Sequence, residues 1–369
     1  MKILILHVNG LHLGYLGCYG NDWVQTPNLD RLAAEGIVFD QHIADCPRLS
    51  SRSSITGRYC FPQADGQEPK DEAPSLPALL EAHEVPHIVL NGGEKPIRSI
   101  LESFRKQLPR WGKAERGLLW LDWPALNPPW QIPEEFLEQY FLEDEEDEKA
   151  LTPWLDPPIG PIAADDLERL QNTYAAHVTA FDAHVGTILK GLQQSGFLED
   201  THVMVTGSCG VALGEHGYVG DHRAWLHEEI VHVPLILRLP KAAQAGMRMQ
   251  GLTQPVDLVP TVLDLLELPM GQAEGHSLLP LIRGEVEQVR DHACSGLALG
   301  YSVEWSIRTA GWALLVPIST PPADATRQPQ LFVKPEDRWE VNDVRQHNLE
   351  LAEELEQILR NDIDKLRNH

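Results

Sequence analysis

The chain has 369 residues, 43% of them hydrophobic, enough for one large α/β domain or one large and one small. Its formal net charge is −24, from 54 acidic against 30 basic residues, which argues against nucleic acid and anionic membranes as partners. No apolar run reaches the roughly 20 residues that a membrane span needs.

The first element is an apolar strand over 3–8, running into Asn9-Gly10. It is too short for the apolar part of a signal peptide, and no small-residue cleavage site follows, so the expected compartment is the cytoplasm. "TPNLDRLAAEG" carries a Thr-Pro helix start and a glycine stop at Gly36. "SLPALLEAHE" predicts a second helix, with Ser75 as its N-cap and Pro77 in its first turn. Further strands are expected over 86–90, 118–122, 202–206 and 233–238. Between the third and fourth of these five lies an acidic, proline-rich stretch, "YFLEDEEDEKALTPWLDPPIGPIAADD", read as an exposed loop with a cation site as the alternative. A long periodic helix then ends at Gly196. From about 286 the pattern changes to short strands and a terminal helix over 349–367, which predicts a small C-terminal α+β subdomain after a main domain spanning 1–285.

Strands alternating with helices predict an α/β/α sandwich around a large, mostly parallel or mixed sheet. Ligands gather at the carboxyl ends of such strands, where Asn9-Gly10 and Ser208-Cys209-Gly210 fall. Cys18, Cys46, Cys60, Cys209 and Cys294 are odd in number and scattered, so reduced thiols are expected.

Several blocks, in order, resemble the sulfatase family of the alkaline-phosphatase-like superfamily. They are "LGCYGNDWVQTPNLDRLAAEGIVFD", "SRSSITGRY", "TYAAHVTAFDAHVGTILKGLQQSGFLEDTHVMVTG", "GEHGYVGDHRAWLHEEIVHVPLILRLP", "PVDLVPTVLDLLELP" and "EGHSLLPLIRGE". The resemblance implies an alkaline-phosphatase-like fold and a calcium-assisted sulfuric-ester hydrolase. It also implies where the chemistry should sit. The family's first two metal ligands, paired aspartates, fall on Asn9 and Gly10, and the second pair, Asp-His or Asp-Asn, falls on Ser208 and Cys209. Gly10 offers no side chain, and a cysteine sulfur suits calcium poorly. The family's nucleophile falls on Pro47 or Arg48 by two different counts, with Cys46 one position away. Ser50 and Ser51 are hydroxyls with no base in evidence, read as caps of the next helix. The family's sulfate-binding lysine falls on Gly92 or Gly93, with Lys95 as a displaced stand-in, and its leaving-group histidine falls near Asn127. Arg52 and Arg58 are retained.

The expectation is therefore a pseudosulfatase with a vestigial pocket of Asn9, Gly10, Cys46, Ser50, Ser51, Arg52, Asn127, Ser208, Cys209 and His216, and without the family's calcium. It would serve as a structural partner of another protein or as a binder of a small anionic ligand. The rival is an active sulfate- or phosphate-ester hydrolase with a site rebuilt from Cys46, Ser50, Ser51, Arg52 and the histidines at 216, 222 and 227. Those histidines also allow a zinc site beside Asp221, Glu228 and Glu229.

Overall fold

The computed structural model describes residues 1–47, 52–62, 73–93, 97–124, 126–141, 152–221, 223–320 and 327–367. Its strands in chain order are β1 Lys2–Val8, β2 Ile37–Phe39, β3 His87–Asn91, β4 Gly117–Trp123, β5 Gly160–Pro161, β6 Thr201–Thr206, β7 Tyr218–Val219, β8 Leu235–Arg238, β9 Met247–Met249, β10 Ala293–Leu299, β11 Ser302–Arg308, β12 Trp312–Ser319 and β13 Gln330–Val333. The helices are α1 Pro27–Ala34, α2 Arg52–Thr56, α3 Leu76–Ala82, α4 Ile97–Gly112, α5 Glu134–Leu137, α6 Ala164–Gln194, α7 Glu228–Val231, α8 Leu258–Leu265, α9 Leu279–Ile282 and α10 Leu349–Arg367.

The main sheet has seven strands in the order β3-β4-β1-β6-β8-β2-β9. β3, β4, β1 and β6 run parallel, and β8 is antiparallel to both β6 and β2. Alternation along β1 distributes its residues between two cores. Leu4, Leu6 and Val8 pack with α1, α4 and α6, whereas Ile3 and Ile5 pack with α3, α8 and α9. This is the expected sandwich, and all five predicted strands are present. The short strands β2 and β9 are additional: three residues are too few to show a period in the sequence.

Two helix starts differ from their sequence signals. Thr26 makes no capping bond to α1. Asp182 of α6 does this instead, accepting the backbone N–H groups of Asn28 and Leu29 at 3.1 and 2.7 Å. A carboxylate at a helix N-terminus satisfies free N–H groups and opposes the dipole, so this contact also locks α1 to α6. Ser75 stands at the N-cap of α3, but its side chain makes no capping bond.

β10 to β13 form a four-stranded antiparallel meander. α10 covers it with Ala352, Leu355, Leu359 and Ile363, the spacing of one helical face. Ala293 and Leu297 are buried in a separate cluster with Ile43, Leu226, Val231 and Leu252, so the small sheet is packed onto the main one.

Candidate functional site

His7 follows Ile3 and Ile5 in the alternation of β1 and lies opposite Asp122 of β4 and Thr206 of β6. It is completely buried. Its Nδ1 lies 3.1 Å from Asp122 Oδ1 and its Nε2 lies 3.0 Å from Ser208 Oγ. Ser54 of α2 completes the group, 3.4 Å from His7 Nε2 and 3.1 Å from Ser208 Oγ. The imidazole stacks on Trp120 at 5.6 Å. With its proton on Nδ1 the ring donates to the carboxylate, leaving Nε2 to accept from a serine hydroxyl.

The loops after β1 and β6 close over this group. Asn9 Oδ1 accepts the Ser208 N–H at 2.7 Å, and the Gly10 N–H donates to the Cys209 carbonyl at 2.9 Å. The Asn9 carbonyl accepts the Leu126 N–H at 2.8 Å, which brings Asn127 over Gly10. Gly10 has φ +74°, and a Cβ there would fall 2.0 Å from Asn127 Oδ1. The space that a side chain at position 10 would use is thus occupied by the Asn127 amide. Asn9 is 5% exposed, Ser208 1% and Cys209 5%, so these groups face one another rather than solvent. Burial pushes the Cys209 thiol up to about 12, which keeps it protonated and unreactive at neutral pH.

The structure therefore brings together Asn9, Gly10, Asn127, Ser208 and Cys209, and Arg52 opens the helix whose Ser54 joins them. Cys46 and Pro47 are buried ahead of that helix. Arg48, Ser50, Ser51, Lys95 and His222 lie outside the described residues. Arg58 pairs with Glu274 at 2.9 Å. Gly92 donates its N–H to the Asp122 carbonyl at 2.7 Å.

His216 belongs to a different cluster. Its ring lies 4.1 Å from that of His227 and 5.4 Å from Trp225, and its Nε2 lies 3.6 Å from Glu229 Oε2. Burial alone would lower its pKa, but the Glu229 carboxylate outweighs burial and raises it. Around it, His227 Nδ1 pairs with Glu340 at 3.0 Å, and Arg308 and Lys334 approach Glu340 at 2.7 and 3.0 Å. His232 Nδ1 pairs with Glu228 at 2.5 Å, and Lys334 also reaches Glu228, at 3.0 Å. Burial opposes ionisation of Glu228 and Glu340, yet these cations hold both carboxyls well below the usual range. His227 and His232 are committed to carboxylates, so the chemistry of this cluster is charge pairing between α7 and the small sheet.

Sequence reading missed His7, Ser54 and Asp122. A signal existed: His7 and Asp122 are the polar residues late in two otherwise apolar strands, "ILILHV" and "LLWLDW".

A hard dication does not fit the group at the β1 and β6 ends. Among the described residues that meet there the carboxylate is Asp122, and it faces His7. The Asn9 oxygen is taken by a backbone N–H, the Ser208 hydroxyl is engaged with His7 and Ser54, Gly10 contributes no ligand atom, and Asn127 Oδ1, buried without a partner, is a single neutral oxygen. Calcium takes six to eight oxygens, several of them charged.

The doubly covered mixed sheet, with its polar group at the carboxyl ends of β1 and β6, has the alkaline-phosphatase-like fold. A structure solved in complex with its substrate D-glucosamine-2-N,6-O-disulfate superposes with a TM-score of 0.79 at 17% identity, covering 100% of this chain and 98% of that one. The phosphonate monoester hydrolase of Agrobacterium radiobacter superposes with a TM-score of 0.75 at 18% identity, covering 100% and 95%. In sequence, the sulfatase family profile matches residues 98–268. An N-acetylglucosamine-6-O-sulfatase of Bacteroides thetaiotaomicron is 37% identical over 120 residues, 32% of this chain and 21% of that protein. Arylsulfatase K of Danio rerio is 26% identical over 213 residues, 56% of this chain and 39% of that protein. The chain is thus similar to sulfatases over these stretches and shares their fold, and its matches span less than half the length of these two curated relatives.

Proposed function

We propose that this sulfatase-like protein does not hydrolyse sulfate esters at the inherited site and acts as a binding or structural partner. The observation that carries this reading is the closed hydrogen-bond circuit of Asn9, Ser208, Ser54, His7 and Asp122, with Asn127 filling the space beside Gly10. The Asn9 and Ser208 oxygens, which could have met a cation, are engaged with other protein groups, and the buried Asn127 Oδ1, which has no partner, is a single neutral oxygen. Substitution at the family's ligand and nucleophile positions belongs to the same proposal. So does a cytoplasmic setting, supported by five free cysteines. Among the described residues, no helix is long and apolar enough to cross a membrane.

A ligand-binding role has a place in the fold. A cleft of about 360 Å³ between the two sheets is lined by Tyr19, Asp40, Glu228, Arg248, Lys334 and Arg338; Arg248 and Lys334 pair with Asp40 and Glu228, so Arg338 is the cation through which it would hold a small anion. The test is an assay of purified full chain against aryl sulfates and phosphate monoesters with calcium, magnesium or manganese added. Turnover that is abolished by Asn9→Ala would overturn the proposal.

A second reading is favoured by one observation. Asp122, His7 and Ser208 stand in the order and spacing of an acid–base–nucleophile relay, with 3.1 and 3.0 Å between partners. A rearranged hydrolase would use Ser208 Oγ as nucleophile and His7 Nε2 as base. Ser208 is 1% exposed, so this reading requires the loop over it to open. Covalent labelling of Ser208 by a fluorophosphonate, lost in His7→Gln, would establish it. An unlabelled protein removes it.

A further inference from the structure

We propose that His292, Cys294 and Asp362 form a binding site for a borderline-soft divalent metal, zinc being the natural occupant, which fastens α10 to the edge of the small sheet. The nitrogen, sulfur and oxygen ligand atoms of these three side chains all lie within 4.8 Å of one another. Three elementary facts put them there. His292 immediately precedes β10 and Cys294 is its second residue, so extended backbone two residues apart turns both side chains to one side. Asp362 lies on α10 in the turn that ends at Ile363, and Ile363 is buried in the same cluster as Cys294. His292 Nε2 meets Asp362 Oδ2 at 2.5 Å, so strand and helix already touch through two of the three ligands.

The donor set points to the metal class. Thiolate, imidazole and carboxylate together match zinc, at about 2.3, 2.0 and 2.1 Å, and match calcium or magnesium poorly because of the sulfur. Tetrahedral bonds of those lengths place ligand atoms roughly 3.5 Å apart, so the His292–Asp362 pair, now at 2.5 Å, must open by about 1 Å as the metal replaces its hydrogen bond while Cys294 closes by about 1 Å, both within reach of side-chain rotation. Room for a fourth ligand exists. A cavity of about 250 Å³ opens onto the three and is also lined by His276, Asp291, Tyr59, Gln254, Arg290 and Lys365. A water can complete the shell.

The charges around the site are mixed. Arg290 is the opposing cation, but Nη1 donates to Gln254 at 2.7 Å and Nη2 bonds Asp257, which draws its charge to the other wall. Lys365 Nζ donates to Asp362 Oδ1 at 3.0 Å, leaving Oδ2 for the metal. Burial, followed by the Asp362 carboxylate, raises the Cys294 thiol pKa. The thiol must lose its proton to ligate, so binding will strengthen steeply with pH. The site shares no residue with the group around His7 and stands or falls independently of the proposed function.

The test uses the full chain stripped of metal, titrated with zinc at neutral pH against a chromophoric chelator. Cobalt serves as a spectroscopic probe. One equivalent of zinc should bind and raise the melting temperature, and cobalt should give a thiolate charge-transfer band. Cys294→Ser should abolish the band. His292→Gln and Asp362→Asn, both at partly exposed positions, should each weaken zinc by at least the roughly 10- to 100-fold that loss of a mere supporting group costs. Failure to bind zinc, or equal affinity in the His292 and Asp362 variants, would overturn the site.

Discussion

Two buried polar regions of this molecule differ sharply in charge. The group at the ends of β1 and β6 holds Asn9, Ser54, His7, Ser208 and the half-buried Asp122. The junction between α7 and the small sheet buries Glu228, Glu229 and Glu340 with Arg308, His227 and His232, and Lys334 beside them. The fold can therefore bury several carboxylates when the protein supplies its own cations. The group at the strand ends instead joins amide, hydroxyl and imidazole groups to one half-buried carboxylate, Asp122. Carboxylates gathered in that space without a metal would repel one another and resist ionisation.

The comparison breaks most easily at the junction. Glu340→Gln leaves Arg308 and Lys334 short of a buried counter-charge, an expected loss of about 3–5 kcal/mol by urea denaturation. A change below roughly 1 kcal/mol, typical of exposed pairs, would mean that the junction is not a buried charge network. At the strand ends, Gly10→Asp should cost roughly 2–4 kcal/mol, from positive φ and collision with Asn127. Adding Asn127→Ala should restore part of this. Strict additivity of the two would place Asn127 away from position 10.

pH separates the regions. His42, His177 and His202 are held neutral, first of all by burial, with pKa values lowered to about 3, 4 and 4. The unfolded chain takes up these protons near 6.5 and the folded chain does not, so stability falls as pH drops from 6.5 towards 4. Asp45, raised by burial to about 6, opposes this, as do Asp30 and Asp182, which burial also raises. The depressed carboxyls of Glu228 and Glu340 keep their contribution down to their unfolded value of 4.5 and lose it below. Thermal melts should show a gradual first decline and a steeper second one, and Glu340→Gln should flatten only the second. A profile level from 6.5 to 4 would contradict the neutral histidines. The smallest effect is expected from Ser54→Ala, about 1 kcal/mol, because His7 and Ser208 remain bonded to each other.

Long periodic segments made the sandwich legible in the sequence. β1, β4 and β6 are continuous apolar runs, and α6 and α10 keep one apolar face over many turns. The site was legible where the family blocks marked it, at Asn9, Gly10, Asn127, Ser208 and Cys209. His7 sits inside a strand that reads as core, and its meeting with Asp122 depends on the register of β1 with β4, which no local pattern encodes. Asp182 capping α1 across 154 residues is the same kind of long-range fact. His216 was misplaced because its sequence neighbourhood resembles a site, whereas its contacts are Trp225, His227 and Glu229.

The polar group at the ends of β1 and β6, its Asn9 and Ser208 oxygens engaged and Asn127 Oδ1 the neutral oxygen left without a partner, offers a hard dication too few oxygens. Calcium titration of the metal-stripped full chain, followed by calorimetry, tests this most directly. The account predicts no saturable binding at millimolar calcium and no shift in melting temperature. Binding of about one equivalent, weakened by Asn9→Ala and unaffected by Cys294→Ser, would contradict it.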